Sequence, residues 1–202
     1  MANRIRLVAA GAIGFTLLVA GVTAFAARHS GSVTFPDATG ESATGPDIAG
    51  VVVANDDVRN ITFTVRLANR PSLGASEVLL AVDSDNNRAT GNDKWDGAEY
   101  AIDLTAKDGP GMARWTGSQW NWSIPQTSLV SSYADGVAYF TVNAAELGNT
   151  KTFTFVAGAG ENEQYDWAPA SGEFSYTLRI SPPLTKTVAK TLAKPAKKKK
   201  HR

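Results

Sequence analysis

The sequence predicts an all-β fold, an antiparallel β-sandwich of jelly-roll type with one short helix. Three observations carry this expectation: short runs in which apolar and polar residues alternate, turn signals about every 8 to 12 residues, and no sustained helical period. Asn55-Asp56-Asp57, Arg70-Pro71, Asp108-Gly109-Pro110 and Asp135-Gly136 supply the turns.

The first strand is expected at 48–55, where the chain is rich in β-branched residues. The next, 61–68, sets Ile61, Phe63, Val65 and Leu67 against Thr62, Thr64 and Arg66, the pattern of a half-buried strand. Residues 77–83 are apolar on both faces, which fits a central strand. In 98–104, Ala98, Tyr100, Ile102 and Leu104 point inward, and Glu99, Ala101 and Asp103 point the other way. Further strands are expected at 137–142, 152–157 and 174–180. The one helix expected, 143–147, has Asn143 as N-cap, Glu146 three residues on and Gly148 as its stop.

Between Ala113 and Ile124, Gly117-Ser118 separates two strand-like runs and suits a two-residue type II′ hairpin. In that register Trp115 faces Trp120, and Ala113, Trp115, Trp120, Trp122 and Ile124 share one face. Alternation this regular marks an inward face, so these three indoles are expected to pack against the core rather than to form a sugar-stacking platform. Trp95, in a polar loop, and Tyr165 and Trp167, in Gln164-Tyr-Asp-Trp-Ala-Pro, are the better candidates for ligand contact. Pinning of their loops is the competing role.

The ends differ from the middle. Arg4 and Arg6 precede an uncharged run, 7–27, that finishes on Ala24-Phe25-Ala26, a small-x-small cleavage pattern. A signal peptide over 1–27 fits; because the run is long, so does an uncleaved single-span anchor. Either one exports the domain, giving a secreted or extracytoplasmic protein, free or membrane-anchored. The folded domain is expected over 33–180, and 181–202 is a Lys- and Pro-rich tail that cannot bury enough apolar surface to fold alone.

The formal charge of +1 hides a division. Residues 27–180 carry all 19 Asp and Glu against 10 Lys and Arg, and 181–202 carry 8 basic residues and no acid. An acidic domain repels phosphates, which argues against nucleic acid as its partner. The tail suits an anionic polymer or membrane surface, with Leu184, Val188 and Leu192 spaced for a weak basic amphipathic helix. A disordered solubilising tail fits the same composition.

The chain has no cysteine and its two histidines, His29 and His201, lie outside the expected core, so Cys/His, Ser/His/Asp and zinc-hydrolase sites within the domain are excluded. A carboxylate pair drawn from Asp83, Glu99, Asp103, Glu161, Glu163 or Asp166 is the remaining catalytic option. Nothing singles out one pair, and the domain is read as a non-enzyme.

The strand 77–83 empties into Asp83-Ser-Asp-Asn-Asn-Arg-Ala-Thr-Gly, followed by Asp93, Asp96 and Glu99. Asp83, Asp85 and Asn87 alternate so that oxygen ligands can converge as the chain leaves the strand, with Glu99 and Asp96 within reach, and a hard cation such as Ca²⁺ takes such ligands. The EF-hand pattern fails, because Arg88 and Lys94 stand where glycine and glutamate belong. A solvated acidic hairpin is the competing reading. Calcium is favoured because crowded carboxylates repel and a divalent ion relieves that repulsion in a domain without disulfides.

The order of these pieces, above all the D-x-D-x-N-x-x-T-G loop, Gly97-Ala-Glu-Tyr and Asp166-Trp-Ala-Pro, resembles the family 9 carbohydrate-binding modules and the wider DOMON-like extracellular β-sandwiches, over about 35–179. The resemblance implies structural calcium on Asp83, Asp85, Asn87 and Glu99, and sugar ends gripped between aromatic rings. It assigns no particular aromatic pair here. DOMON-like relatives also include His/Met haem binders, but Met112 is the one methionine in the domain and the core has no histidine, which excludes such a site. The function expected is non-catalytic binding of a carbohydrate or other small extracellular ligand. The alternative is a surface spacer whose tail makes the contacts.

Overall fold

The computed structural model describes residues 29–42 and 44–181. The expected targeting segment and, apart from Ser181, the basic tail lie outside them. Among the described residues no helix is long and apolar enough to cross a membrane.

In chain order the strands are β1 (His29–Pro36), β2 (Ile48–Asp56), β3 (Asn60–Leu67), β4 (Glu77–Asp83), β5 (Tyr100–Thr105), β6 (Gly109–Trp115), β7 (Trp120–Asn121), β8 (Val130–Ala134), β9 (Val137–Asn143), β10 (Thr152–Glu161), β11 (Gln164–Ala168) and β12 (Phe174–Thr177). They form two antiparallel sheets. The first runs β1-β2-β3-β9-β8 and the second β11-β10-β4-β5-β6-β7, with β12 pairing the opening half of β10. The domain begins earlier than the expected residue 33, because β1 pairs with β2 from His29 onward.

The expected alternation decides which side chains meet between the sheets. Val51, Val53, Phe63, Val65 and Phe140 of the first sheet are fully buried with Val78, Leu80, Val82, Ile102, Met112, Phe153 and Phe155 of the second. Phe63 meets Phe155 edge-on, with centroids 5.4 Å apart, and Phe35 joins them across the layer. Each such ring contributes about 1.5 to 3 kcal/mol by leaving water. Two buried polar groups tie the layers together: Asp166 Oδ2 accepts from the Ile48 amide at 2.6 Å, and Asn55 Oδ1 accepts from the Tyr176 hydroxyl at 2.8 Å.

Three sequence expectations change. The helix at 143–147 is absent: Asn143 does cap the Ala145 amide, but Glu146 N bonds Asn143 O and Leu147 N bonds Ala144 O, the pattern of successive tight turns. Strands β1, β8 and β11 were not anticipated. Most important for function, the tryptophans of the β6–β7 hairpin do not face the core. Trp115 pairs with Trp120 as expected, but Met112 is the inward residue of β6, so Ala113 and Trp115 lie on the outer side of the second sheet. Ile124 leaves that face altogether, because β7 ends at Asn121 and the following turn carries Ile124 back against the main core.

Candidate functional site

The outer face of the second sheet follows from pairing parity. Register aligns Trp167, Gly158, Leu79, Asp103 and Gly111 in one row across the strands, and Tyr165, Gly160, Glu77 and Thr105 in the next. A third row holds Val156, Ala81, Ala101 and Ala113. Glycine and alanine supply much of this floor, with Leu79 and Val156 as its larger aliphatic residues and Glu77, Asp103 and Thr105 as its polar ones, and aromatic residues are laid over it.

Trp167 and Tyr165 stand two residues apart on β11, each opposite a glycine of β10. A Cβ at Gly158 would come within 2.7 Å of the Trp167 ring, and one at Gly160 within 2.3 Å of the Tyr165 ring, so each ring covers its glycine. The two ring planes lie within 18° of each other with centroids 5.8 Å apart. Each ring covers its own glycine, two residues apart on β10, so the near-parallel rings follow one another along the strand. The Tyr165 hydroxyl donates to Glu77 Oε1, and this bond pushes the phenol up to about 12.

Trp95 covers the middle of the face. It meets Trp120 at 5.1 Å and Trp167 at 6.4 Å, and Trp120 meets Trp115 at 5.3 Å. Trp95, Trp120 and Trp167 pack on Leu79, Ala101 and Ala113 as a cluster separate from the main core. Trp95 and Trp167 are inclined at 63° in edge contact, which leaves no parallel slot between them for a gripped sugar end. At the margins Tyr165 and Trp122 are 47% and 45% exposed. A cavity of about 390 Å³ opens beside Trp95 and Trp167, walled by Lys94, Asp96, Pro169 and Ser171; another of about 250 Å³ lies beside Tyr165, with Glu77, Lys107, Asp108 and Asn162.

The acidic loop delivers Trp95 to this face. Asn92 Oδ1 caps a single 3₁₀ turn, Asp93–Trp95, by accepting from the Lys94 amide, and Asp96 ends it in the left-handed region. The loop crosses itself so tightly that a Cβ on Gly91, whose φ is 62°, would fall 2.0 Å from the Gly97 oxygen.

Where the loop leaves β4, the structure brings together three of the five expected metal ligands. Carboxylate oxygens of Asp83, Asp85 and Glu99 lie within 4.8 Å of one another. Oxygens that share a calcium ion stand at most about 4.6 to 5.2 Å apart, so this spacing is compatible with one. Thr90 Oγ1 lies 2.8 Å from Glu99 Oε1 and 3.1 Å from Asp85 Oδ1, and Ser84 donates through N and Oγ to Glu99 Oε2. Burial, with the Glu99 and Asp85 charges adding to it, pushes Asp83 up to about 6 against opposing amide bonds from Asn87 and Asp85.

Of the other two expected ligands, Asn87 adjoins this group and Asp96 does not. The Asn87 side-chain oxygen accepts from the Ala89 amide, and its backbone N–H donates to Asp83 and Asp85. Asp96 lies outside the group and pairs with Arg88 at 3.2 Å. A second acidic group, Asp37, Glu41 and Asp166, sits at the opposite end of the sandwich's long strands.

The sequence candidates Trp95, Tyr165 and Trp167 lie on this outer face, and so do Trp115, Trp120 and Trp122, which sequence reasoning placed inward. The available signal was Ala157-Gly-Ala-Gly, whose glycines alternate outward opposite Tyr165 and Trp167. Comparison with protein-family models, with curated proteins and with solved structures gives no match.

Proposed function

We propose that the domain is a non-catalytic, extracellular carbohydrate-binding module, with the outer face of its second sheet as the platform and a structural calcium ion on Asp83, Asp85 and Glu99. The observation that carries the reading is the near-parallel Tyr165–Trp167 pair lying on glycines. Sugars bind aromatic faces through their C–H surfaces while their hydroxyls seek acceptors, and flat exposed rings beside carboxylates supply both. Glu77 and Asp103 lie on this face, and Thr105, Asp108 and Asn162 border it.

The acidic face carries no catalytic assignment in this reading. Glu77 is held by the Tyr165 hydroxyl, and burial followed by the charge of Glu77 raises Asp103. Calcium would hold the base of the loop that carries Trp95, so its work is to fix the platform rather than to touch ligand.

Titration of the full chain with neutral soluble polysaccharides, followed by tryptophan emission, tests the reading. A saturable shift that is lost in Trp167→Ala supports it. Silence towards neutral glycans, with salt-sensitive binding to heparin-like polymer or anionic vesicles, would transfer the function to the basic tail.

A further inference from the structure

The carbohydrate reading leaves open which class of sugar polymer is bound and by which part. We infer that the face is a track along β10 and β11 that takes an internal stretch of a neutral, ribbon-like, β-linked polysaccharide. The inference rests on that reading and adds the ligand's shape, charge and mode of entry.

Shape comes from the rings. In a ribbon-like chain with equatorial substituents, successive sugars present flat C–H faces that are close to coplanar, whereas a coiled α-linked chain rotates each face relative to the last. The Tyr165 and Trp167 planes are inclined to each other by only 18°, and each ring covers a glycine, Gly160 and Gly158, so successive near-parallel faces match the ribbon.

The mode of entry comes from what lies at each end of the pair. Beyond Trp167 is the cavity walled by Trp95, Val156, Pro169 and Ser171, and beyond Tyr165 is the one lined by Glu77, Thr105, Lys107, Asp108, Gly160 and Asn162. From Val156 to Gly160 the strand runs about 13 Å, so a ligand spanning cavity to cavity is several sugars long. A site that reads a chain terminus needs a wall at one end or rings closed around the last sugar. Here the pair is open at both ends, and the edge contact of Trp95 with Trp167 forms no slot.

Charge sets the class. The outward positions of β4 and β5 carry Glu77 and Asp103, and the cavity beside Tyr165 adds Asp108 against Lys107, with Glu161 paired to Arg70. Hydroxyl donors of a neutral chain satisfy these acceptors, and a uronic or sulfated chain is repelled.

Calorimetric titration of the full chain tests this with β-1,4-linked gluco-oligosaccharides of two and six sugars, the hexasaccharide with its reducing end converted to an alditol, maltohexaose, and polygalacturonate. The hexasaccharide should bind at least about tenfold more tightly than the disaccharide, about 1.4 kcal/mol. Converting its end should leave affinity within about twofold, under about 0.5 kcal/mol. Maltohexaose and polygalacturonate should each bind about tenfold more weakly or not at all. Tyr165→Ala and Trp167→Ala should each lose at least about tenfold, while Tyr139→Ala, on the outer face of the other sheet, keeps full affinity. Ser171→Trp fills the cavity beyond Trp167 without removing a packed ring; it should weaken the hexasaccharide and spare the disaccharide, which keeps the test decisive if a truncated variant fails to fold. Equal affinity for two and six sugars, loss of binding on end conversion, or preference for polygalacturonate would overturn the track while leaving carbohydrate binding in place. Absence of binding to every sugar would overturn the underlying reading.

Discussion

Trp167 lies on Gly158. The indole rests against the α-carbon of the neighbouring strand so closely that one methyl group there would overlap the ring. The glycine therefore sets the plane of the aromatic surface. Gly158→Val should lift Trp167, cost about 1 to 3 kcal/mol in unfolding free energy through overpacking, and blue- or red-shift the tryptophan emission. An unchanged spectrum and unchanged binding would show that the ring plane does not depend on this contact.

Calcium should raise the melting temperature of the full chain. At about 100 times its dissociation constant the ion adds roughly 2.7 kcal/mol, which for a domain of this size is about 5 to 10 °C. Chelator should reverse the shift, and Asp85→Asn with Glu99→Gln should abolish it. Because the same loop carries Trp95 onto the sheet, the emission change on chelation should be reduced in Trp95→Phe. A melting transition indifferent to calcium would reject the metal assignment.

The other acidic group predicts a pH effect of definite sign. Burial, then the charges of Asp166, Glu41 and Asp47, push Asp37 up to about 6, and its Oδ2 is buried without a hydrogen bond among the described residues. An unfolded Asp titrates near 4, so the folded state holds this proton more tightly. The stabilising contribution is complete below about pH 4 and is lost as pH rises through about 6. Asp37→Asn should therefore stabilise the protein at pH 7 by about 1 kcal/mol, change little at pH 4, and flatten the fall in melting temperature between them. A steeper fall in the variant would contradict the assignment.

Phe155 joins the two layers, touching Phe35, Phe63, Phe153 and Phe174. Phe155→Ala should cost about 3 to 5 kcal/mol in chemical denaturation, with no change in the slope against denaturant. A loss below about 1 kcal/mol would mean that the site collapses around the missing ring.

Much of the sandwich was legible because its inward residues are large. Ile61, Phe63 and Val65, or Tyr100, Ile102 and Leu104, can face only a core, and they do. The hairpin was harder. Ala113 and the indoles after it are apolar and outward, whereas inward Met112 is flanked by small residues, so alternation separated the two faces without telling which was buried. Strand β8 escaped notice because it is a polar edge strand, and β11 because its inward positions include Asp166, a buried carboxylate satisfied by the distant Ile48 amide, beside the small Ala168. The acidic loop was legible as a ligand supply, but its geometry was not: Glu99 stands just ahead of β5, where its amide bonds Val82 O beside Asp83, while Asp96, nearer in sequence, is drawn off by Arg88.

A crystal structure of the full chain with calcium and a neutral β-linked hexasaccharide is the most direct measurement. Sugar density lying flat over Tyr165 and Trp167 and running on past both is the result expected. Density seated on the first sheet or at a loop end, with those two rings bare, would contradict the assignment of this face.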